Sequence, residues 1–228
     1  VWKRPSLQTA FFIARSVSQV CGRLCGIFAG RFLLWEPVRG WHSGGMCSST
    51  TSLAESPARV SVRLARYEDV VLLPEIERSA AQSFRTIPSL AWIAEGACLP
   101  IDTHLASLEA GTCWVAVAEQ ERPVGFLTAE RVQDRLHILE ISVETQVQGR
   151  GVGKALLAVA FQAAQQTGLK RVTLTTCRDV PWNAPFYHKM GFDYLEEAAL
   201  DSDLRAILEE EEACGFPPGT RCAMQRGL

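Results

Sequence analysis

The residues with the clearest chemical meaning run from Ile141 to Lys154: Ile141-Ser142-Val143-Glu144-Thr145-Gln146-Val147-Gln148-Gly149-Arg150-Gly151-Val152-Gly153-Lys154. An apolar strand pattern ends at Val143, a polar loop follows, and three alternating glycines enter a helical pattern. The first amides of a helix have no internal partner and carry the positive end of its dipole. Glycine lets the backbone curl with no Cβ in the way, so successive amides can point into one concavity that suits a phosphate. Arg150 and Lys154 add positive charge beside it. The phosphate carrier is not that of a P-loop, which needs Gly at 148 and Ser or Thr at 155 where this chain has Gln148 and Ala155. Nor is the spacing the G-x-G-x-x-G of a dinucleotide fold.

Gln148-Gly149-Arg150-Gly151-Val152-Gly153 resembles the Q/R-x-x-G-x-G/A motif of the GNAT superfamily of N-acetyltransferases. A second segment, Asn183-Ala184-Pro185-Phe186-Tyr187-His188-Lys189-Met190-Gly191-Phe192, is similar to that family's later signature. The resemblance covers about residues 58–228. It implies acetyl-CoA as co-substrate and no metal. Its diphosphate would lie on Gly149 to Lys154, and its pantetheine arm would pair with the strand of Ile141, Ser142 and Val143, which splays from its neighbour. Asn183 would contact the CoA arm or cap its helix.

Acetyl transfer to an amine requires a base for the ammonium proton, donors for the oxyanion and an acid for the departing thiolate. His137 is the expected base, since an imidazole titrates near neutrality. It precedes Gln148 by eleven residues, the offset of a strand histidine in the arylalkylamine N-acetyltransferases that this segment resembles. The second histidine of that pair would fall at Leu139. Glu140 is the competing base; strand alternation puts it on the face opposite His137, unless a bulge changes the parity. Tyr187 is the expected acid, because a phenol stays protonated at pH 7. Backbone amides near Ile141 would polarise the thioester. Cys177 reads as a buried thiol, His188 as solvent-facing, and His104 and His42 have no supporting partners. The run Glu209 to Glu212 reads as a solvated helix face, and Trp92 and Trp182 as cleft or core residues.

The elements that must position these residues follow from periodicity. Val60 to Leu64 alternates as a strand, and Tyr67 to Phe84 carries apolar residues at helical spacing. Pro88–Gly96 and Ile101–Ala110 read as short helices. Strands are expected at Cys113–Glu119, Val124–Arg131 and Leu136–Val143. A helix is expected from Gly151 to Thr167, a β-branched strand at Arg171–Cys177 and a short helix at Pro181–Met190. A strand from Phe192 to Leu195, an acidic helix over Ala198–Glu212 and a last strand at Arg221–Met224 complete the pattern. Hairpins precede one β-α-β crossover. The expected fold is a single α/β (α+β) domain over residues 58–228, with a mixed, mostly antiparallel sheet and helices on both faces.

The chain has 228 residues, 47% hydrophobic and 21% charged, and can bury a core. Residues 1–45 hold six basic residues against Glu36, leaving the remainder net −7, which excludes a broad nucleic-acid surface. No apolar run reaches the about 20 residues of a membrane span. The eight cysteines form no C-x-x-C pair, so structural zinc is not expected, and a reducing, cytoplasmic setting fits better than a disulfide scaffold. Residues 1–57 are basic and irregular. They read as a targeting peptide, as a disordered or partner-binding arm, or as upstream sequence before Met46, which the opening Val1 favours. The expected partner is a small primary amine bound by a monomer or homodimer. A CoA-binding module without catalysis, or a protein N-terminal or lysine acetyltransferase, is the alternative.

Overall fold

In a computed structural model of the protein, residues 60–118 and 121–228 are described. The segment 1–57 with its three readings, His42, Cys21, Cys25 and Cys47 lie outside them. The chain order is β1 (Ser61–Leu64), α1 (Tyr67–Val70), α2 (Leu73–Ala81), α3 (Ile101–Glu109), β2 (Cys113–Val117), β3 (Pro123–Val132), β4 (Arg135–Val143), α4 (Val152–Gln166), β5 (Arg171–Cys177), α5 (Ala184–Lys189), β6 (Asp193–Tyr194), α6 (Ser202–Ala213) and β7 (Arg221–Gly227). Two 3-10 segments, Gln82–Thr86 and Pro88–Glu95, link α2 to α3.

The strands form one sheet in the order β1-β2-β3-β4-β5-β7-β6. Only β4 and β5 are parallel neighbours, as the helical crossover through α4 requires. The antiparallel remainder follows from short connections. This is the α/β architecture expected from the sequence, with helices on both faces. On one face Trp114, Leu127, Leu136, Ile138 and Leu174 pack under Leu156, Leu157 and Phe161 of α4. On the other, Val115 and Phe126 pack against Leu73 and Ile76 of α2. Helix α4 forms because its apolar residues recur at three- and four-residue spacing. It stops at Gly168, whose φ of 74° an L-residue rarely adopts. There the amides of Gly168 and Leu169 bond back to the carbonyls of Gln165 and Ala164.

Three departures from the periodicity reading have a local cause. The helix expected over Tyr67 to Phe84 is broken, because Pro74 lies in the first turn of α2 and has no amide to continue the bonding from α1. The acidic helix starts at Ser202 rather than Ala198, since Asp201 accepts the Leu204 amide at 3.0 Å and caps it there. The last strand runs on to Gly227, against the whole length of β5.

A register shift in β4 decides which side chains reach the cleft. Thr128 pairs with Glu140 and Ala129 with Ile138, so Leu139 is an extra residue between them. This bulge turns Glu140 onto the same face as His137, overturning the simple alternation.

At the foot of β4, Arg135 is almost fully buried, with ion pairs to Asp201 and Asp203. These join the sheet to the start of α6. Asp201→Ala removes a helix cap and leaves the buried guanidinium only its 3.3 Å contact with Asp203, so a loss of about 2 kcal/mol is expected. Asp203→Ala leaves Arg135 paired and is expected to cost less than about 1 kcal/mol. Urea midpoints of the two variants check this; equal losses would contradict it.

Candidate active site

The β4–β5 pairing stops at Ile138 opposite Leu174. Beyond it, Leu139–Val143 and Thr175–Cys177 diverge, and a cleft of about 880 Å³ opens between them. Glu144 donates its amide to Val124 of β3 at 2.9 Å. Strand alternation then turns the main-chain groups of Ile141 and Val143 the other way, into the cleft. A 3-10 turn, Thr145–Val147, leads to Gln148, whose Nε2 donates to the Val143 carbonyl at 3.0 Å.

The glycine turn follows at the mouth. Gly149 and Gly151 have φ of 74° and 83°, and a Cβ on either would meet nothing within 4 Å. Conformation, not crowding, demands glycine there, and the space above the turn is open. Among the described residues, the amides from Gly149 to Lys154 bond to nothing; the first bonded amide is that of Ala155, to Gly151 at 3.0 Å. Gly151 caps α4 without a side-chain acceptor. An open row of free amides at a helix start fits the diphosphate of CoA. Lys154 lines the cleft; Arg150 is exposed and is not among the residues that line it.

Glu140 lines the same cleft and accepts from Ser142 Oγ at 2.7 Å. Burial raises its pKa, and the Ser142 hydroxyl and the Arg221 charge only partly oppose that. Tyr187, on α5, is 9% exposed, and its hydroxyl has no hydrogen-bond partner among the described residues. Burial, and then the charge of Glu140, push its pKa up, so it stays protonated at neutral pH. Asn183 lines the cleft too. It occupies the cap position of α5, but its Nδ2 donates to Thr176 Oγ1 at 2.9 Å and its side chain caps nothing.

His137 stands apart. It is 3% exposed, does not line the cleft, and its Nδ1 lies 3.0 Å from Thr173 Oγ1. Burial and then the Arg135 charge bring its pKa down to about 4. His104 is also buried, with Nδ1 2.9 Å from Thr128 Oγ1. His188 is exposed and bonds the Phe192 carbonyl. Cys177 is buried and lines the cleft, with the Arg221 guanidinium 3.3 Å from its sulfur.

Periodicity alone did not single out Glu77, Glu211 or Arg221. Glu211 is not a solvated member of the acidic run: it pairs with Arg221 at 2.5 Å and accepts from Thr175 Oγ1 at 2.7 Å. Arg221 also lies over the Phe216 ring, 4.6 Å from its centroid. Trp182 lines the cleft with its edge on Phe84, and Trp92 packs on Phe216; both are exposed rather than core. Among the described residues there is no group of side chains that could hold a metal ion, and no helix is long and apolar enough to cross a membrane.

Residues 76–192 match the acetyltransferase (GNAT) family. The chain is 31% identical over 144 residues to the peptidyl-lysine N-acetyltransferase YjaB of Salmonella typhimurium, covering 62% of this chain and 89% of that protein. It is 34% identical over 91 residues to human N-acetyltransferase 8B, covering 37% of this chain and 40% of the relative. In fold it is similar to the PaiA N-acetyltransferase of Thermoplasma acidophilum, solved in complex with coenzyme A. That likeness has a TM-score of 0.55 at 17% identity, over 75% of this chain and 99% of the other. The chain therefore belongs to the acetyltransferase (GNAT) family and is an acetyl-CoA-dependent N-acetyltransferase.

Proposed function

We propose that the enzyme acetylates a small primary amine by direct attack within a ternary complex, with Glu140 as base and Tyr187 as acid. The observation that carries this is the pair itself: a desolvated carboxylate and an unpartnered buried phenol bordering one cleft, beside the open glycine turn. This moves the base from His137, which the sequence favoured, to Glu140, which the bulge at Leu139 brings to the cleft. His137 then acts in packing, tied to Thr173.

In this reading the diphosphate lies on the amides of Gly149 to Lys154, and the pantetheine arm runs along Ile141, Ser142 and Val143. Asn183 and Gln148 border the arm. Glu140 takes a proton from the bound ammonium. The nitrogen lone pair attacks the thioester carbon, and the N–C bond forms as the carbonyl becomes an oxyanion. Main-chain amides of β4 near Ile141 stabilise that charge. The oxyanion collapses, the C–S bond breaks, and the thiolate takes the proton of Tyr187; the nitrogen's second proton restores that phenol as the amide forms, and the proton on Glu140 leaves to solvent. No acyl-enzyme is needed, and Cys177 carries no bond to substrate. A protein lysine is the second reading, favoured by the identity to a peptidyl-lysine acetyltransferase.

Turnover of acetyl-CoA with a panel of free amines and lysine peptides tests the assignment; binding of CoA with no transfer to any of them would refute it. Glu140→Gln is expected to lower kcat by about 100-fold while CoA still binds, and Tyr187→Phe by a similar factor. Loss of neither rate would remove both roles. A base must be ionised to accept a proton, and the pKa of Glu140 is raised. Wild-type kcat/KM is therefore expected to climb with pH through a limb lying above the ordinary carboxylate range, and Glu140→Gln to abolish that limb. Gly151→Ala forces an L-residue into the left-handed region at a cost of roughly 1–2 kcal/mol. The KM for acetyl-CoA is expected to rise about 10-fold; an unchanged KM would take the diphosphate off this turn.

A further inference from the structure

Glu77 projects from α2 into the cleft wall facing β4. Both of its oxygens accept from the Leu99 amide, at 3.1 and 3.0 Å, which fixes the plane of the carboxylate. Helix α2 is itself clamped to the loop after β4. Thr145 Oγ1 donates to the Ser79 carbonyl at 2.6 Å, and the Thr145 amide to Ser79 Oγ at 3.2 Å. Glu77 is thus held rigidly, in the same cleft as Glu140.

Charge pairing separates these two carboxylates from the other acids nearby. Glu211 is neutralised by Arg221, Glu144 by Arg122 and Asp69 by Arg63. Among the described residues, neither Glu77 nor Glu140 is in an ion pair. Two desolvated carboxylates outside any ion pair are costly, since the charges of Arg78 and Arg221 only partly offset the burial, and a cation placed between them relieves both the burial and the mutual repulsion. Tyr187, 9% exposed and with no hydrogen-bond partner for its hydroxyl among the described residues, lines the same cleft. Around it, Phe84, Ile93, Trp182 and Phe216 form an apolar rim. Such a rim accepts a hydrocarbon body and offers no partner to a carboxylate on the substrate.

We propose that Glu77 is the ammonium-docking residue of the acceptor site: with Glu140 it holds the alkylammonium head of an amine whose apolar stem lies on the Phe84–Trp182 rim. This rests on the acetyl-transfer reading and gives it a substrate class. Glu77 positions and selects; Glu140 moves the proton. The groups facing Glu77 are Glu140 from β4, Arg78 from its own helix and Cys98 from the following loop. In the empty cleft, burial and then the Glu140 charge raise the pKa of Glu77 to about 9. Docking of an ammonium stabilises its carboxylate form, and the displaced proton leaves to solvent.

The test is phenethylamine binding by calorimetry to the full chain saturated with CoA, in buffers of different ionisation enthalpy at pH 7. Wild type is expected to bind with proton release, and phenethyl alcohol not to bind. Glu77→Gln, which keeps an acceptor for the Leu99 amide, is expected to weaken binding at least 10-fold and to abolish the release. Glu77→Asp should recover part of both. In turnover, Glu77→Gln is expected to raise the KM for the amine far more than it lowers kcat. Equal binding by wild type and Glu77→Gln, or the same affinity for the alcohol, overturns the proposal even if acetyl transfer is intact. Amine binding that depends on Glu77 without any turnover supports the docking site and instead overturns the acetyl-transfer assignments. If a lysine peptide shows the same dependence and phenethylamine does not, Glu77 keeps its role and the ammonium belongs to a protein side chain.

Discussion

The structure depends on one interruption: two parallel strands, β4 and β5, pair for four residues and then part at Ile138 and Leu174. A buried main-chain amide or carbonyl left without a partner costs about 1–3 kcal/mol, so a sheet normally closes such a gap. Here the gap is held open from both sides. β4 stays bonded to β3 as far as Val143, and β5 to β7 as far as Cys177, so neither strand can swing across. The exposed edges become a place where another extended chain can lie, and a pantetheine arm with its two amides is such a chain. The same parting leads β4 directly to the glycine turn, so in the proposed reading one continuous piece of backbone serves both cofactor arm and diphosphate.

The bulge at Leu139 is coupled to that parting. It lies one residue past the last β4–β5 pair, and it changes which face the next side chain takes. Without the extra residue, the acid at 140 would sit under α4, among Ile138, Leu156 and Leu157. With it, Glu140 reaches the wall closed by α2. The place of one carboxylate thus depends on a backbone defect, and the face assigned to it depends on tertiary pairing rather than on its neighbours in sequence.

This explains what the sequence carried and what it did not. The elements were legible because α4 buries a stripe of helical period, while β2 is a short apolar run and β5 a β-branched one; the turn was legible because its glycines are demanded locally by φ. Tyr187 was legible through its fixed place beside Phe186 in a short signature. Which of His137 and Glu140 borders the cleft was not, since that turned on the bulge. Nor were the partners of the acidic helix. Glu211 differs from its acidic neighbours in meeting Arg221 of β7 and Thr175 of β5. Glu77 carried no signal because a lone acid in an amphipathic helix is usually solvated; the Leu99 amide that fixes it lies 22 residues away.

Within the cleft the electrostatics divide into two poles. At one end lie the amides at the start of α4 and the side chain of Lys154; at the other lie Glu77 and Glu140, neither of them in an ion pair among the described residues, with the Arg78 and Arg221 charges only partly offsetting their burial. A diphosphate and an ammonium entering together can settle in only one orientation, because exchanging them sets like charges together at both ends. At short range and low local dielectric, each such contact costs several kcal/mol. The arrangement also bears on order. An ammonium between the two carboxylates has no thioester to react with until the arm fills the parted strands, whereas the arm needs nothing from the acidic pole in order to bind. In the proposed reading, opposed poles along one cleft bring the reacting nitrogen and carbonyl to the point where the strands part, and Glu140, carried to the cleft by the bulge, is the charged group of β4 on the acceptor side of that point.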